Sequence, residues 1–317
     1  MRAKRIISVF LAASIPLLFI PYFFASAASV NRPETKTASS TVEVFNTKIS
    51  QKSEMTLFDY ICGVLAAEMP ALYHEEALKA QAVAAFTYSL RRMNSSAESH
   101  DGASVCTSSS HCSAFLTVEE QKNRWGVDFE KYRKKIETAV TEVLGKAICY
   151  NGKPIDALYF ARSSGKTEDA SEVWGNSVPY LVSVNSSVDK SGDGFEKEIS
   201  YTEAEFKEII KAAYPDVKFT KNNAEITERT ASNGVRKAEI FGVTLSGKEL
   251  RSKFKLSSTD FEVNLANGVL TFICKGKGHR VGMSQYGANV MAQMGYDWQE
   301  IIKHYYTGVT IEEYRIK

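Results

Sequence analysis

The sequence predicts a mixed α+β fold in which helices and antiparallel hairpins share one body. Apolar residues recur with helical spacing in several segments, and three Asn-Gly pairs, Asn151-Gly152, Asn233-Gly234 and Asn267-Gly268, each separate two strand-like runs. Strand and helix do not alternate regularly, so a doubly wound parallel sheet is not expected. The composition, 44% hydrophobic and 24% charged over 317 residues, is that of a folded protein.

The N-terminal segment is apolar with a basic start. Arg2, Lys4 and Arg5 precede an apolar run over residues 6–24, long enough to cross a bilayer. The basic flank predicts a cytoplasmic start, with the remaining chain outside the cytoplasm. A cleaved signal peptide is the alternative, because residues 25–27, Ala-Ser-Ala, suit a cleavage site. The run exceeds the usual signal core of about 7–15 residues. We therefore expect residues 1–29 to be a single-pass cell-membrane anchor.

A polar linker is expected over residues 30–40, rich in Ser and Thr, and a single folded body over residues 41–317. The body is predicted to begin with a strand at 41–45 and two helices. The first helix covers 56–67, with Thr56 as its N-cap and Pro70 as its stop. The second covers about 75–92, with acidic residues in its first turn and arginines in its last.

The rest of the body is predicted to mix helices and hairpins. Residues 201–260 are expected to form a helical and hairpin elaboration. The predicted elements are a helix at 129–144, hairpins at 147–150 with 155–160, 225–230 with 237–245 and 261–265 with 269–274, and helices at 202–213, 285–294 and 298–306.

Glu68 is the first candidate for chemistry. It ends an otherwise apolar helix, where apolar surroundings and the negative end of the helix dipole both favour the neutral carboxyl group. A neutral carboxylic acid near pH 7 is able to protonate a glycosidic oxygen. The alternative is a solvated, inert glutamate at a helix end, which is the commoner case for a residue considered alone.

A loop rich in Ser, His and Cys contains a candidate metal site. His100, Cys106, His111 and Cys112 supply two imidazoles and two thiols, a set that suits tetrahedral zinc in a structural role. A disulfide between Cys106 and Cys112 is the alternative, since an exported protein permits one. The other three cysteines lie in apolar runs and are predicted to be buried thiols: Cys62, Cys149 and Cys274.

Two further segments end a strand in a polar, glycine-containing turn. Residues 159–169 are dense in hydroxyl groups, which suit sugar binding but also cap helices. Residues 276–287 pass from a strand through glycines into a helix, without the Gly-Lys-Ser/Thr triplet of a phosphate loop. His279 in this turn is more often structural than catalytic. The net charge of +2 also gives no basic field for nucleic acid.

Four segments together resemble the stage II sporulation protein D family. They occur in the family's order and span the body from residue 41 to the C-terminus. The segments are YICGVLAAEMP at 60–70, EALKAQAVAA at 76–85 followed by Thr87-Tyr88, SSGKTE at 163–168 followed by VWG at 173–175, and Gly278-His279 followed by VGMSQYGA at 281–288.

This resemblance implies a lytic transglycosylase that acts on peptidoglycan during engulfment of the developing spore, with Glu68 as the catalytic residue. The loop also resembles the Cys/His zinc loop of clostridial-type members. Peptidoglycan glycan strands, the membrane, a sporulation amidase and other engulfment proteins are then the expected partners, and residues 41–317 the catalytic domain. The candidates for positioning sugars are Tyr159, Ser163, Ser164, Thr167, Gln285 and Tyr286.

The mechanism needs one carboxyl group. Glu68 is expected to protonate the oxygen between N-acetylmuramic acid and N-acetylglucosamine, and then to accept the proton of the muramoyl C6 hydroxyl. That hydroxyl attacks C1 and leaves a 1,6-anhydro end. Since water is not the nucleophile, the second carboxylate of ordinary glycosidases is unnecessary.

Two rival functions remain at this point. One is a non-catalytic enhancer of a cell-wall amidase, because such proteins share these motifs. The other is a hydrolytic muramidase with Asp59 or Glu172 as the second carboxylate. The sequence also departs from the common family pattern at three positions: Phe86 replaces Arg, Arg280 replaces Gly, and one Gly rather than two follows Ser164.

Overall fold

The computed structural model describes residues 40–93, 100 and 102–314, and it confirms a mixed α+β fold. The predicted anchor at 1–29 and nearly all of the linker lie outside these residues. No helix in the described parts of the chain combines the length and hydropathy needed to cross a bilayer. The helices are α1 (Leu57–Glu68), α2 (Glu75–Met93), α3 (Val118–Trp125), α4 (Phe129–Val143), α5 (Ala170–Trp174), α6 (Glu203–Ala213), α7 (Gly247–Lys253), α8 (Gln285–Gln293) and α9 (Trp298–Tyr305).

The strands form several small sheets. Most pairs are antiparallel, as the hairpin signals predict. The strands are β1 (Thr41–Asn46), β2 (Gln51–Thr56), β3 (Val105–Cys106), β4 (Lys146–Tyr150), β5 (Lys153–Pro154), β6 (Tyr159–Phe160), β7 (Glu196–Thr202), β8 (Ala224–Arg229), β9 (Val235–Ile240), β10 (Val243–Ser246), β11 (Phe261–Ala266), β12 (Val269–Lys275), β13 (Met283–Ser284) and β14 (Thr310–Glu313).

Two of the predicted hairpins need correction. Strand β5 ends at Pro154, and Tyr159–Phe160 instead pairs in parallel with Met283–Ser284. The predicted strand 237–245 is two antiparallel strands, β9 and β10, because Phe241 and Gly242 both have positive φ values, 53° and 78°, and reverse the chain. The Asn-Gly turn at 267–268 connects β11 to β12 as predicted.

The predicted helices are confirmed to within about two residues at their ends. The Thr56 side chain caps α1 by accepting a hydrogen bond from the backbone N–H of Asp59. Helix α3 is one that the sequence analysis missed. Its signal was present, since Thr117 and Glu120 form a reciprocal capping box. That helix has only one buried residue, so its apolar periodicity is weak.

The main hydrophobic cluster surrounds α2. Nearly every residue from Ala77 to Leu90 is buried, which explains the alanine-rich composition of this helix: small side chains let α1, α4, α8 and α9 approach it. Cys62 and Cys149 are buried within this cluster, as predicted.

A second hydrophobic cluster lies in the predicted elaboration and is built from aromatic rings. Phe206, Phe254 and Phe272 stack in sequence, with centroid separations of 4.7 and 5.9 Å. Its buried residues run from Phe206 to Cys274, so this cluster continues past the predicted boundary at residue 260 into the β11–β12 hairpin. Cys274 is a buried thiol here, as predicted.

Candidate active site

Glu68 is the last residue of α1, and its side chain is partly buried. Its Oε1 accepts a hydrogen bond from the backbone N–H of Ala114 at 2.7 Å. Its Oε2 lies 3.4 Å from the side-chain Nε2 of Gln285. Burial raises the pKa of Glu68 above its ordinary value, and the two hydrogen bonds offset part of that rise. A carboxyl group in such surroundings is suited to holding a proton at a higher pH than one in water.

The segment after the Cys/His loop fixes the position of this carboxyl group. The ring of Phe115 rests directly on Gly63, where an added Cβ would lie 2.1 Å from the ring. The backbone N–H of Leu116 donates to the Gly63 carbonyl at 3.1 Å. Ala114 is thereby held over the end of α1 with its N–H directed at Glu68. A glycine at position 63 is therefore required for this close approach.

Gln285 reaches Glu68 from the start of α8. Ser284 caps that helix by accepting a hydrogen bond from the Gly287 N–H at 3.1 Å. The Gln285 Nε2 also lies 3.4 Å from the Oε1 of Gln81, a fully buried residue of α2. Two of the segments that carry the family resemblance, α2 and the turn before α8, therefore meet at Glu68.

Tyr159 is a partly buried tyrosine whose hydroxyl is influenced by the charge of Glu68. Its hydroxyl oxygen is 2.6 Å from the Ser113 Oγ. Burial, and after it the neighbouring Glu68 carboxylate, raises the pKa of the Tyr159 hydroxyl well above its ordinary value. Among the predicted sugar-positioning residues, the structure therefore brings Tyr159 and Gln285 together with Glu68.

The three hydroxyl groups of the turn at 163–168 make hydrogen bonds inside the fold. The Ser163 Oγ accepts from the Gly165 N–H at 3.1 Å, and the Thr167 Oγ1 accepts from the Val184 N–H at 2.8 Å. The Ser164 Oγ accepts from the Arg280 guanidinium. All three residues are buried. Their contact with a sugar stays a prediction, and what the structure gives is their role in shaping this turn.

Tyr286 follows Gln285 and presents a fixed aromatic ring. The Arg162 guanidinium stacks on the ring, 3.9 Å from its centroid. The Tyr286 hydroxyl donates to the Ser191 carbonyl at 2.6 Å. Since both the ring face and the hydroxyl are held, this side chain is pre-organised beside the residues that surround Glu68.

The two candidate second carboxylates are placed elsewhere. Asp59 begins the helix that Glu68 ends, and nine residues of α-helix separate their Cα atoms by about 13 Å. Glycosidases that use two carboxyl groups hold them roughly 5–9.5 Å apart. Glu172 is engaged by Arg236, whose Nε donates to it at 2.9 Å. Asp59 is therefore too far along the helix to act with Glu68, and the Glu172 carboxylate is held in an ion pair.

The predicted metal ligands converge on one point. One donor atom from each of His100, Cys106, His111 and Cys112 lies within 4.8 Å of all the others. The Cys112 Sγ is 3.6 Å from both the His100 Nε2 and the His111 Nδ1. Tetrahedral zinc with ordinary Zn–S and Zn–N bonds places such atoms about 3.6 Å apart. The two imidazole nitrogens, at 2.5 Å, are closer than the ~3.3 Å that this geometry requires.

A buried hydroxyl group supports the fit of a metal to this set. The Tyr60 hydroxyl has no hydrogen-bond partner within the described chain. Its pKa is raised well above the ordinary value, first by burial and then by the charges of Cys112 and Cys106. A thiolate bound to a cation would accept this O–H. None of the five cysteines forms a disulfide in the structure, and all five lie within the described residues.

Three groups around Glu68 were not predicted from the sequence: Gln81, Ser113 and the backbone N–H of Ala114. Gln81 had a signal, because it is the one amide in the alanine-rich interior of α2, and a buried amide usually has a polar partner. Nothing in the sequence indicates that residues 113–114 lie over the end of α1, because that contact depends on the path of the loop.

Comparisons with known proteins agree with the resemblance. A family model described as "Stage II sporulation protein" matches residues 45–150. The Stage II sporulation protein D of Bacillus subtilis (strain 168) is 37% identical over 94% of this chain and 91% of its own length. The protein of that name from Bacillus amyloliquefaciens is also 37% identical, over the same shares. A Bacillus subtilis protein named amidase enhancer is 28% identical over 80% of this chain, but over only 40% of its own length.

Proposed function

The chain belongs to the stage II sporulation protein D family, and from that membership and the site geometry we propose that it is a peptidoglycan lytic transglycosylase. It would cut the bond between N-acetylmuramic acid and N-acetylglucosamine and leave 1,6-anhydro ends, in wall remodelling during spore engulfment. The body would act outside the cytoplasm from a membrane anchor at residues 1–29. Mapping the mature N-terminus in cells separates that anchor from a signal peptide cleaved after Ala27.

One observation carries the proposal: a single, partly buried carboxyl group of raised pKa is held by fixed donors. The Ala114 N–H at 2.7 Å and the Gln285 amide at 3.4 Å are each within reach of one Glu68 oxygen. Such donors keep the carboxyl group in place while burial retains its proton. A general acid needs both a defined position and a pKa near the working pH.

The chain's own residues account for the proton movements. Protonated Glu68 would donate to the glycosidic oxygen as the bond to C1 breaks. The resulting carboxylate, stabilised by the N–H of Ala114, would accept the proton of the C6 hydroxyl as that oxygen bonds to C1. Tyr159 and Gln285 would orient the two sugars at this carboxyl group, and Tyr286 would offer its aromatic ring to the next sugar.

The arrangement favours transglycosylation over hydrolysis. A hydrolase needs a second carboxylate to activate water or to bond to C1. Asp59 is about 13 Å away along α1, and Glu172 is paired with Arg236. An intramolecular hydroxyl requires no such group, since the sugar itself delivers the nucleophile.

Product analysis tests the function. After digestion of purified peptidoglycan, we expect mass spectrometry to find glycan fragments that end in 1,6-anhydro-N-acetylmuramic acid, 18 mass units (one water) lighter than hydrolysis products, a difference that follows from the chemistry of ring closure. Reducing ends would instead indicate a muramidase. The amidase-enhancer function, which one relative's name carries, would give a different result. The glycan would stay intact, and an added sporulation amidase would release peptides faster than it does without this protein.

We also propose that His100, Cys106, His111 and Cys112 hold one structural zinc ion. Zinc bound by four protein ligands would supply cross-linking of the loop rather than a reactive position. The loop leads directly into Ser113 and Ala114, which contact Tyr159 and Glu68. Fixing Cys112 would therefore fix the donor that holds the catalytic carboxyl group.

The metal proposal predicts about one zinc ion per chain by elemental analysis. Cys106→Ser should lower the zinc content and the melting temperature together, because ligand loss removes binding energy that stabilises the folded loop. Cys149→Ser is the matched control: it also changes a buried cysteine, but one that is not a proposed ligand, so the zinc content should not fall. A metal-free protein in which Cys106 and Cys112 are oxidised to each other would contradict the proposal.

A further inference from the structure

A cavity of about 490 Å³ lies beside the hydrophobic elaboration, apart from the groups that contact Glu68. Its lining combines residues of the second cluster, such as Val235 and Leu256, with Val173 and His279. We call it the cationic cavity, because four basic side chains line it: Arg236, Lys248, Arg251 and Lys255.

The two acidic residues of the lining are already neutralised by partners. Glu168 accepts a hydrogen bond from the Arg280 guanidinium at 2.7 Å and another from the Thr230 hydroxyl at 2.9 Å. Glu172 is bonded by Arg236, which also contacts Glu228 at 2.8 Å. Arg236 and both carboxylates of the lining are therefore already paired with each other or with neighbouring residues.

Three cations remain without a carboxylate. Within the described residues, no acidic oxygen lies within 4.0 Å of Lys248, Arg251 or Lys255. The Lys248 ammonium donates to the carbonyl of Val173. Burial, followed by the charge of nearby Arg280, lowers the pKa of Arg251. A half-buried guanidinium that faces other cations is unfavourable on its own, and an anion in the cavity would relieve that cost.

His279 connects this cavity to the strand beside the active site. Burial and then Arg251 lower its pKa to about 4, so the ring is neutral at pH 7. Its Nδ1 accepts the Val281 N–H at 3.1 Å, and it also bonds to the backbone of Tyr159. Trp174, which is 49% exposed, packs against the same ring at 5.5 Å. His279 is thus the aromatic residue of the cavity lining, and it connects the cavity to the backbone of Tyr159.

We propose that the cationic cavity binds an oxyanion, a carboxylate or phosphate group carried by the cell-wall polymer on which the protein acts. This inference rests on the proposed function for the identity of the polymer, but not for the binding itself. The net charge of the chain is only +2, so these three cations are a local feature and not part of an extended basic surface for nucleic acid. A polymer held here would be fixed at a second point, close to the strand that carries Tyr159.

Binding to cell wall tests the proposal. The experiment uses the full-length chain in detergent, with Glu68→Gln so that the cell wall stays intact. Binding is measured by sedimentation of this protein with purified sacculi. Adding Arg251→Gln and Lys255→Gln should weaken binding at least about 10-fold, since the loss of even one charge-assisted hydrogen bond costs roughly that factor. The matched control replaces Lys211 and Lys218, two exposed lysines of the same region that do not line the cavity, with Gln and should change binding less than 2-fold.

Two wall preparations identify the source of the anion. If the difference between cavity variant and control disappears on sacculi stripped of phosphate polymers, the ligand is a phosphate; if it persists, the ligand is a carboxylate of peptidoglycan. Inorganic phosphate should compete in the first case. If Arg251→Gln lowers the melting temperature, Lys255→Glu provides a second variant, because Lys255 is exposed. Equal binding by cavity variants and control on complete sacculi overturns the proposal, whereas missing 1,6-anhydro products from the chain with native Glu68 overturn only the proposed function.

Discussion

Glu68→Gln is expected to lower the release of 1,6-anhydro ends by about 100- to 10,000-fold, the usual effect of removing one general acid/base. The amide keeps the size and shape of the carboxyl group and still offers an oxygen to the Ala114 N–H, but it cannot exchange a proton. Binding to sacculi should be unchanged, because the groups that line the site remain in place. Single-turnover release of anhydro fragments, measured by mass spectrometry, checks the rate.

The same variant should be at least as stable as the wild type at neutral pH. The folded-state pKa of Glu68 is raised by burial, so ionisation of this group favours the unfolded chain. Below the unfolded value, near 4.5, both states are protonated and the group has no effect. As the pH rises from the unfolded-state pKa of Glu68 to its folded-state pKa, the free energy of unfolding of the wild type falls. That of Glu68→Gln does not, because the amide has no proton to lose. Thermal melting at pH 4 and pH 7 measures the difference.

The wild-type activity should in turn fall as the pH rises above the folded-state pKa of Glu68, because the acid form is lost. Glu142→Gln is the matched control. Glu142 also lies near the C-terminal end of a helix, but it pairs with Lys79 on the surface. The activity of this variant should equal that of the wild type. If Glu68→Gln releases anhydro ends at a rate near that of the wild type, a different group carries the proton.

Helices and hairpins were predictable because their signals are local. Thr56 and Pro70 bound α1, and Asn267-Gly268 permits the left-handed turn that joins β11 to β12. The raised pKa of Glu68 was likewise predictable, since the residue ends an apolar helix; its catalytic role stays a prediction. The four metal-ligand candidates also come together, as their residue types within one loop suggested.

The features of the fold and the site that could not be predicted from the sequence depend on contacts between distant segments. The parallel pairing of Tyr159–Phe160 with Met283–Ser284 involves two residues from each strand, too few for any periodicity. The Thr167 hydroxyl accepts a hydrogen bond from the N–H of Val184, a contact that only the fold brings together, and its contact with a sugar stays a prediction. The position of Ala114 over Glu68 has the same origin.

Arg280→Met is expected to lower the free energy of unfolding by about 3–5 kcal/mol, which corresponds to a fall in melting temperature of roughly 6–20 °C for a domain of this size. Arg280 is fully buried and bonds to two carboxylates, Glu168 at 2.7 Å and Asp260 at 3.0 Å, each with only 3% of its side chain exposed. Methionine fills similar space but removes the guanidinium that both buried carboxylates share.

This ion network also joins the two parts of the body. Glu168 follows the hydroxyl-rich turn near the active site, whereas Asp260 and the Ser232 carbonyl, 3.0 Å from the guanidinium, belong to the hydrophobic elaboration. Adding Glu168→Gln and Asp260→Asn to Arg280→Met should recover much of the lost stability, because it removes the uncompensated charges. A triple variant no more stable than Arg280→Met would show that the cost comes from packing and not from charge.

A backbone effect at the same position can be separated from the charge effect. Arg280 has a φ of 67°, in the left-handed region that glycine adopts freely and other residues adopt at a cost of roughly 1–2 kcal/mol. Arg280→Gly and Arg280→Ala both remove the guanidinium, so their difference reports only the backbone. Glycine should be the more stable of the two by about 1 kcal/mol, the reverse of their order in a helix. Glycine is also the residue common at this position in the family pattern. The arginine of this chain forms two ion pairs, but its backbone adopts a conformation that is unfavourable for arginine. Equal melting temperatures for the two variants would mean that the segment relaxes out of the left-handed conformation once the side chain is gone.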